Sequence, residues 1–178
     1  MKIGLFILIG IVLGYIVKWM VNWLAIDNFI MSRKNFFLEA VGAIMVTWSA
    51  VNLGIEEAII FSIIALTLAG ISVIDFHTFE IPLIFIIIGV VASVAGIFLK
   101  VILLSSAFWG IFVGALIPMA IMLIMWGITK RQGMGYGDIQ LGIVLGAWLG
   151  PMRMALTLFG ASLLLSLIHI SEPTRQLC

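Results

Sequence analysis

The sequence predicts an all-α fold, a polytopic integral membrane bundle of six to seven transmembrane helices, and three observations predict it. Hydrophobic residues make up 64% of the 178 and charged residues only 10%, against roughly 45–50% and about 25% in soluble domains. Mean hydropathy is +1.33. The apolar residues also gather into runs close to the roughly 20 residues that a helix needs to cross a hydrocarbon core. So few charges cannot cover that much apolar surface in water, so the solvent is lipid. Only helices satisfy the backbone in lipid without closing a barrel, and these runs are too long and continuous for barrel strands. A net charge of +1, with no basic stripe to neutralise phosphates, argues against a nucleic-acid partner.

The first run is Ile3–Leu24. It follows Met1-Lys2 as a signal peptide would, but no small-residue cleavage site follows it, so it is expected to stay as an anchor. Runs at 36–53, 58–74, 81–99 and 103–128 come next, then a shorter one at 139–149 and a last one from Met152. From Leu165 the character changes. The stretch LSLIHISEPTR, ending at Arg175, resembles an in-frame translation of the adapter used in transposase-based sequencing libraries. Residues 165–178 are therefore expected to be non-native, residues 1–164 to form a single transmembrane domain, and the natural chain to continue past the break. His169 and Cys178 then leave the functional reading. Cys178 is the only cysteine, which excludes a disulfide framework and a cysteine metal site.

Glycines stand four apart at Gly10 and Gly14, Gly110 and Gly114, and Gly142 and Gly146. That spacing lets helices approach closely in lipid, although glycine is also common in membrane helices generally. The connections sort by charge. Arg33, Lys34, Lys130 and Arg131 fall on one side, with Lys18 near that end of the first helix; Lys2, Lys100 and Arg153 fall on the other. Basic residues near helix ends favour the cytoplasm, so the first side is expected to be cytoplasmic. The connection at 75–80 lies there too.

Acids near membrane depth need a reason, since an Asp at mid-helix costs about 2.5–3.5 kcal/mol on insertion scales. Glu56 and Glu57 sit beside Gly54 and Asp27 in the polar stretch 27–35; all three read as solvated. Glu39, near the start of the second helix, gains from the helix dipole and reads as structural. Asp75 follows an apolar run at a helix C-terminus, where the dipole disfavours a negative charge. It is expected to end the helix, with Pro82 in the first turn of the next one; the residues alone leave it open between a structural and a functional role. Asp138 stands where an N-cap belongs, yet Gly133, Gly135 and Gly137 before it are more than a cap requires, and let another chain approach closely. A phosphate-binding loop is the rival, but the Lys-Ser/Thr ending and the preceding strand are missing.

The hairpin between these loops returns Asp75 and Asp138 to one membrane face. Two neighbouring carboxyls share a proton, because both cannot ionise easily. One can then deprotonate a water while the other protonates a carbonyl oxygen, which hydrolyses an amide without metal or nucleophilic side chain. His77 is the only histidine before the break, so no multi-histidine metal site can assemble; Ser105 and Ser106 lie on the opposite side from it. Met119, Met122, Met125 and Trp126 read as packing or lipid contact. Two readings from other classes stand beside this one: a proton-coupled transporter using the same acids, which would place them near mid-bilayer on discontinuous helices, and a non-catalytic assembly component in which the aspartates are merely structural.

Asp75 followed by Ile81-Pro82, then Gly135-Tyr136-Gly137-Asp138 with Ile139-Gln140-Leu141 behind it, resembles the type IV prepilin leader peptidases, membrane aspartyl proteases of the GxGD kind. Phe37-Leu38-Glu39, within 33–54, and the helix at 142–150 also look like the family's segments. The resemblance implies removal of a short basic leader from prepilins or pseudopilins at the cytoplasmic face of the inner membrane. It implies that residues 1–164 are one peptidase domain with Asp75 and Asp138 as the catalytic pair. Gly135, Tyr136, Gly137, Ile81 and Pro82 would shape substrate approach, with no cofactor and no metal. Members that also methylate the cleaved pilin carry a cysteine-rich insert between helices 1 and 2. Only 27–35 occupies that place here, so N-methyltransferase activity is not expected. Gln140 replaces the usual lysine and Leu83 a usual acidic or amide residue, both bearing on substrate handling. The family has about eight helices, so the break is expected to remove the end of helix 7 and all of helix 8.

Overall fold

The computed structural model describes residues 2–32, 34–130 and 135–171, without the side chains of Lys2, Asn28, Thr129 and 165–171. Arg33, Arg131, Gly133 and 172–178 lie outside the described residues, as do the side chains of the rest of the adapter-like tail. Among the described residues the regular structure is all helical: α1 (Lys2–Leu24), α2 (Phe37–Asn52), α3 (Ile55–Thr78), α4 (Leu83–Phe98), α5 (Leu104–Thr129) and α6 (Tyr136–Ser171), with a short 3-10 turn at Ile26–Asn28. Among the described residues four helices are long and apolar enough to cross a membrane, while α2 and α4 are shorter apolar helices. Exposed Leu, Ile, Val, Phe and Trp side chains run along α1, α4 and α5, a surface that is stable only against lipid. The protein is a polytopic all-α membrane protein.

The chain divides into two compact units, Met1–Leu103 and Leu104–Cys178. In the first, α1 and α2 pack antiparallel through glycine. A Cβ at Gly10 would overlap the backbone at Gly42, and one at Gly14 the backbone at Leu38. Ascending residues on α1 thus meet descending ones on α2. A buried hydroxyl pair ties α2 to α3. Ser49 Oγ donates to Val46 O at 3.0 Å, so it accepts from Ser62 Oγ at 2.9 Å, the kind of interhelical bond that favours association in lipid. Gly70 of α3 admits Val17 from α1 and Phe85 from α4, and Leu38, Ile64, Ile74 and Phe85 are almost fully buried.

In the second unit α5 and α6 form an antiparallel pair with the same device. Gly110 opposes Gly146, and Gly114 opposes Gly142, with backbone against backbone. Pro118 lacks the N–H that would bond Gly114 O inside α5, and that carbonyl is the atom a Cβ at Gly142 would meet. The glycine pairs therefore act in packing. Gly114→Ala is expected to weaken this pair by about 1–3 kcal/mol, the range for overpacking, whereas Gly127→Ala, with open space around it, is not. The detergent unfolding midpoint of each variant checks this; equal midpoints would deny the packing role.

The sequence separates helices at 139–149 and from 152, and the structure agrees: the span labelled α6 is two helical stretches that meet at a non-helical kink at Gly150, with φ 74° and ψ 174°. A positive φ combined with ψ near 180° is essentially restricted to glycine, and Pro151 cannot extend the preceding ladder. Helix α3 begins at Ile55, so Glu56 and Glu57 are exposed first-turn residues rather than loop residues, where the dipole favours them. Helix α3 also runs one turn further than the apolar pattern.

Candidate active site

Asp75 does not end its helix. It lies in the last turn of α3, exposed, and its carbonyl accepts from Phe79 N–H at 2.9 Å, Phe79 itself being left-handed at φ 55°. Polar side chains carry the helix past Asp75. Thr78 Oγ1 donates to Ile74 O at 3.0 Å, and His77 Nδ1 lies 2.9 Å from Val73 O; since a carbonyl only accepts, Nδ1 carries the proton. The break falls at 79–82 instead. Pro82 is the N-cap of α4, one residue before the first turn expected for it, with φ −67° and ψ 129°. Pro82 is buried and Ile81 half-buried, so this pair anchors the turn after Asp75.

Asp138 is not an N-cap either. Helix α6 starts at Tyr136, which places Asp138 in its first turn. Its Oδ2 accepts from Gly135 N–H at 3.2 Å, and its own N–H donates to Gly135 O at 3.2 Å. This is the return limb of a capping box, with an acid in the first turn reaching back to the residue before the helix. A Cβ on Gly135 would lie 3.5 Å from Oδ2, so glycine leaves the approach to this carboxylate open. Neither Gly135 nor Gly137 has a left-handed φ; among the described glycines that belongs to Gly150. Tyr136 is exposed and Gly137 half-buried. Asp75 belongs to the first unit and Asp138 to the second.

Sequence reasoning missed a polar scaffold behind Asp75. Lys18 and Asn22, four apart on α1, hold the returning connection at Met31 and Asn35. Asn22 Oδ1 accepts from Met31 N–H at 2.7 Å and Nδ2 donates to Met31 O at 3.4 Å. Lys18 Nζ donates to Asn35 O and sits 3.0 Å from Glu39 Oε1. Lys18 and Glu39 are both buried, so Lys18 is an internal ion-pair partner, not only a charge near a helix end, and the dipole is not the only support for Glu39. The available signal was two polar residues at helical spacing in an otherwise apolar run. The same connection begins against α3, where Phe29 stacks on His77 with ring centroids 4.1 Å apart.

The sequence pattern of the type IV leader peptidase family matches residues 59–170, a span that contains both aspartates and both motifs. The chain is 35% identical over 75 residues to a prepilin leader peptidase/N-methyltransferase of Stutzerimonas stutzeri, covering 42% of this chain and 25% of that protein. It is 34% identical over 77 residues to a protein of the same description from Dichelobacter nodosus, covering 43% and 26%. The matched stretch thus spans about a quarter of the length of these curated relatives. No solved structure matches. Because the family pattern runs from early α3 across the Asp75 turn and the Gly135–Asp138 capping box into α6, the chain belongs to the type IV leader peptidase family.

Proposed function

We propose that the protein is a membrane-embedded aspartic endopeptidase that removes the short basic leader from prepilins or pseudopilins. The inner membrane holds it, with the site facing the cytoplasm, and residues 1–164 work as one peptidase domain; the stretch from Leu165 is adapter translation. The observation that carries this reading is the inclusion of both acidic motifs within the family match. In the reaction one of Asp75 and Asp138 takes a proton from water while the other donates to the scissile carbonyl oxygen. The water oxygen bonds to the carbonyl carbon; the carboxyl that took the water proton then gives it to the leaving amine as the C–N bond breaks, and the other carboxylate recovers a proton from the intermediate's hydroxyl as the carbonyl re-forms. Gly135 keeps bulk away from Asp138, and Ile81-Pro82 hold the turn after Asp75. Both acids lie in terminal turns of their helices, which supports hydrolysis at a membrane face over a mid-bilayer transport path.

The test is conversion of a type IV prepilin, reconstituted with this chain in liposomes, to a product whose mass and N-terminus show loss of the leader. Absence of any product overturns the reading. The connection between α1 and α2 is short, so the product is expected to carry an unmethylated N-terminus even with a methyl donor supplied. A mass increase of one methyl group would contradict that part.

A further inference from the structure

Helices α1 and α2 leave two adjoining clefts between them, both within the first unit. The first, of about 610 Å³, is bounded by Tyr15, Lys18, Trp19, Asn22, Phe36 and Glu39. The second, of about 510 Å³, shares Tyr15, Phe36 and Glu39 with it and continues between the aliphatic side chains of Ile11, Val12, Ala40 and Ala43. Residues 11, 15, 18, 19 and 22 stand at helical spacing along one face of α1. Glu39 lies in the first turn of α2, and Ala40 and Ala43 follow it into that helix. The polar cleft therefore opens at the membrane face, and the aliphatic one runs from it toward the bilayer interior. Tyr15, Trp19 and Phe36 are exposed around the opening, as aromatic side chains at a membrane–water interface are.

The polar cleft holds a buried group whose bonding is incomplete. Lys18 and Glu39 are both more than nine-tenths buried. Lys18 Nζ is engaged by Asn35 O and Glu39 Oε1 and stands 5.4 Å from the centre of the Phe36 ring. Glu39 Oε2, in contrast, has no hydrogen-bond partner among the described residues. A buried carboxylate oxygen is costly to leave so, and a cationic N–H donor satisfies it best.

We infer that the two clefts hold one phospholipid with a primary amine in its head group, its ammonium bonded to Glu39 Oε2 and an acyl chain lying along the aliphatic groove. Charge selects the head group. The Lys18–Glu39 pair is neutral, so an ammonium and phosphate arriving together add no net charge. A lone cation would leave the buried site positive, and an acidic head group without an amine would bring no cationic donor to Oε2. The groove selects a lipid as the carrier of that amine, because it leads from the same carboxylate into hydrocarbon. This site is separate from the peptidase reading and stands without it.

Binding to the full chain is measured in detergent with phosphatidylethanolamine and its N-methyl, N,N-dimethyl and N,N,N-trimethyl forms. All carry the same charges, but the trimethyl form, phosphatidylcholine, has no N–H. It is expected to bind at least about tenfold more weakly than the others, the loss of one charge-assisted hydrogen bond. Equal binding of the whole series overturns the site, as does displacement of the bound lipid by chainless glycerophosphoethanolamine at equal concentration. Ala40→Trp, which fills the groove from an exposed position, is expected to weaken phosphatidylethanolamine binding at least about tenfold through lost acyl burial. Ile44→Trp, exposed on α2 outside both clefts, is expected to leave it unchanged; equal effects of the two overturn the site. An arm on the unaltered chain covers a failure of Ala40→Trp to fold. Phosphatidylethanolamine with a photoreactive diazirine in its acyl chain is irradiated with the protein, and the crosslinks are mapped. Crosslinks within 11–19 or 36–43 that excess phosphatidylethanolamine suppresses and excess phosphatidylcholine does not support the site. Crosslinks that both lipids suppress equally, or that fall only outside those stretches, overturn it.

Discussion

Asp75→Asn and Asp138→Asn are each expected to reduce leader removal at least about 10³-fold, with the protein still inserted and folded. Amide hydrolysis by a carboxyl pair needs one member to accept a proton from water and the other to donate one. An amide side chain does neither, and positioned acid–base catalysis contributes typically 10²–10⁴-fold. The folding cost is small by construction. Asp75 is exposed, and the bond that Asp138 Oδ2 accepts from Gly135 N–H can be kept by the carbonyl oxygen of Asn. Asp27→Asn serves as the control: Asp27 is exposed, outside the proposed site, and left-handed at φ 51°, a conformation Asn tolerates well. Co-expression with a prepilin, read as the mature-to-precursor ratio, checks all three. Full processing by either Asp75→Asn or Asp138→Asn would return those acids to a structural role.

Lys18→Met is expected to destabilise the first unit by about 3–5 kcal/mol, the cost of removing one partner from a buried ion pair. The Glu39 side chain is 9% exposed, its Oε1 lies 3.0 Å from Lys18 Nζ, and its Oε2 has no hydrogen-bond partner. Taking away the ammonium therefore leaves a buried carboxylate without the cation beside it, and also releases Asn35 O. Glu39→Leu combined with Lys18→Met is expected to recover most of the loss, because a buried pair exchanged for apolar side chains is often neutral or stabilising. Unfolding midpoints of the two single variants and the double variant in detergent measure the coupling. If the double variant is as unstable as Lys18→Met alone, the ion pair is not what holds α1 to α2.

How far each element could be read from the sequence depended on the range of the interaction that sets it. The spans follow from hydropathy, a sum over local residues, and the structure keeps them to within a few positions. The end of α3 was misjudged because the apolar pattern stops at Ile74, while the helix continues on the side-chain bonds of His77 and Thr78 to carbonyls one turn back. Asp138 was misjudged by three positions for a related reason: a cap and a first-turn acid use the same residue type, and only the backbone start at Tyr136 separates them. Glycine spacing suggested close helix pairs, but ordinary membrane composition explained it equally well until Gly10 met Gly42 and Gly114 met Gly142.

By itself, the sequence determined the solvent, the helical class, the approximate spans and the two acidic motifs, because composition and short-range spacing encode all of these. Tertiary structure alone decided that Lys18 neutralises Glu39 across two helices, that Asn22 holds the backbone at Met31, and that Phe29 covers His77 beside the Asp75 turn. Those partners lie 9 to 48 positions apart in the chain. No local pattern carries such a pairing, since which side chains meet is set by how close the glycines allow the helix backbones to come.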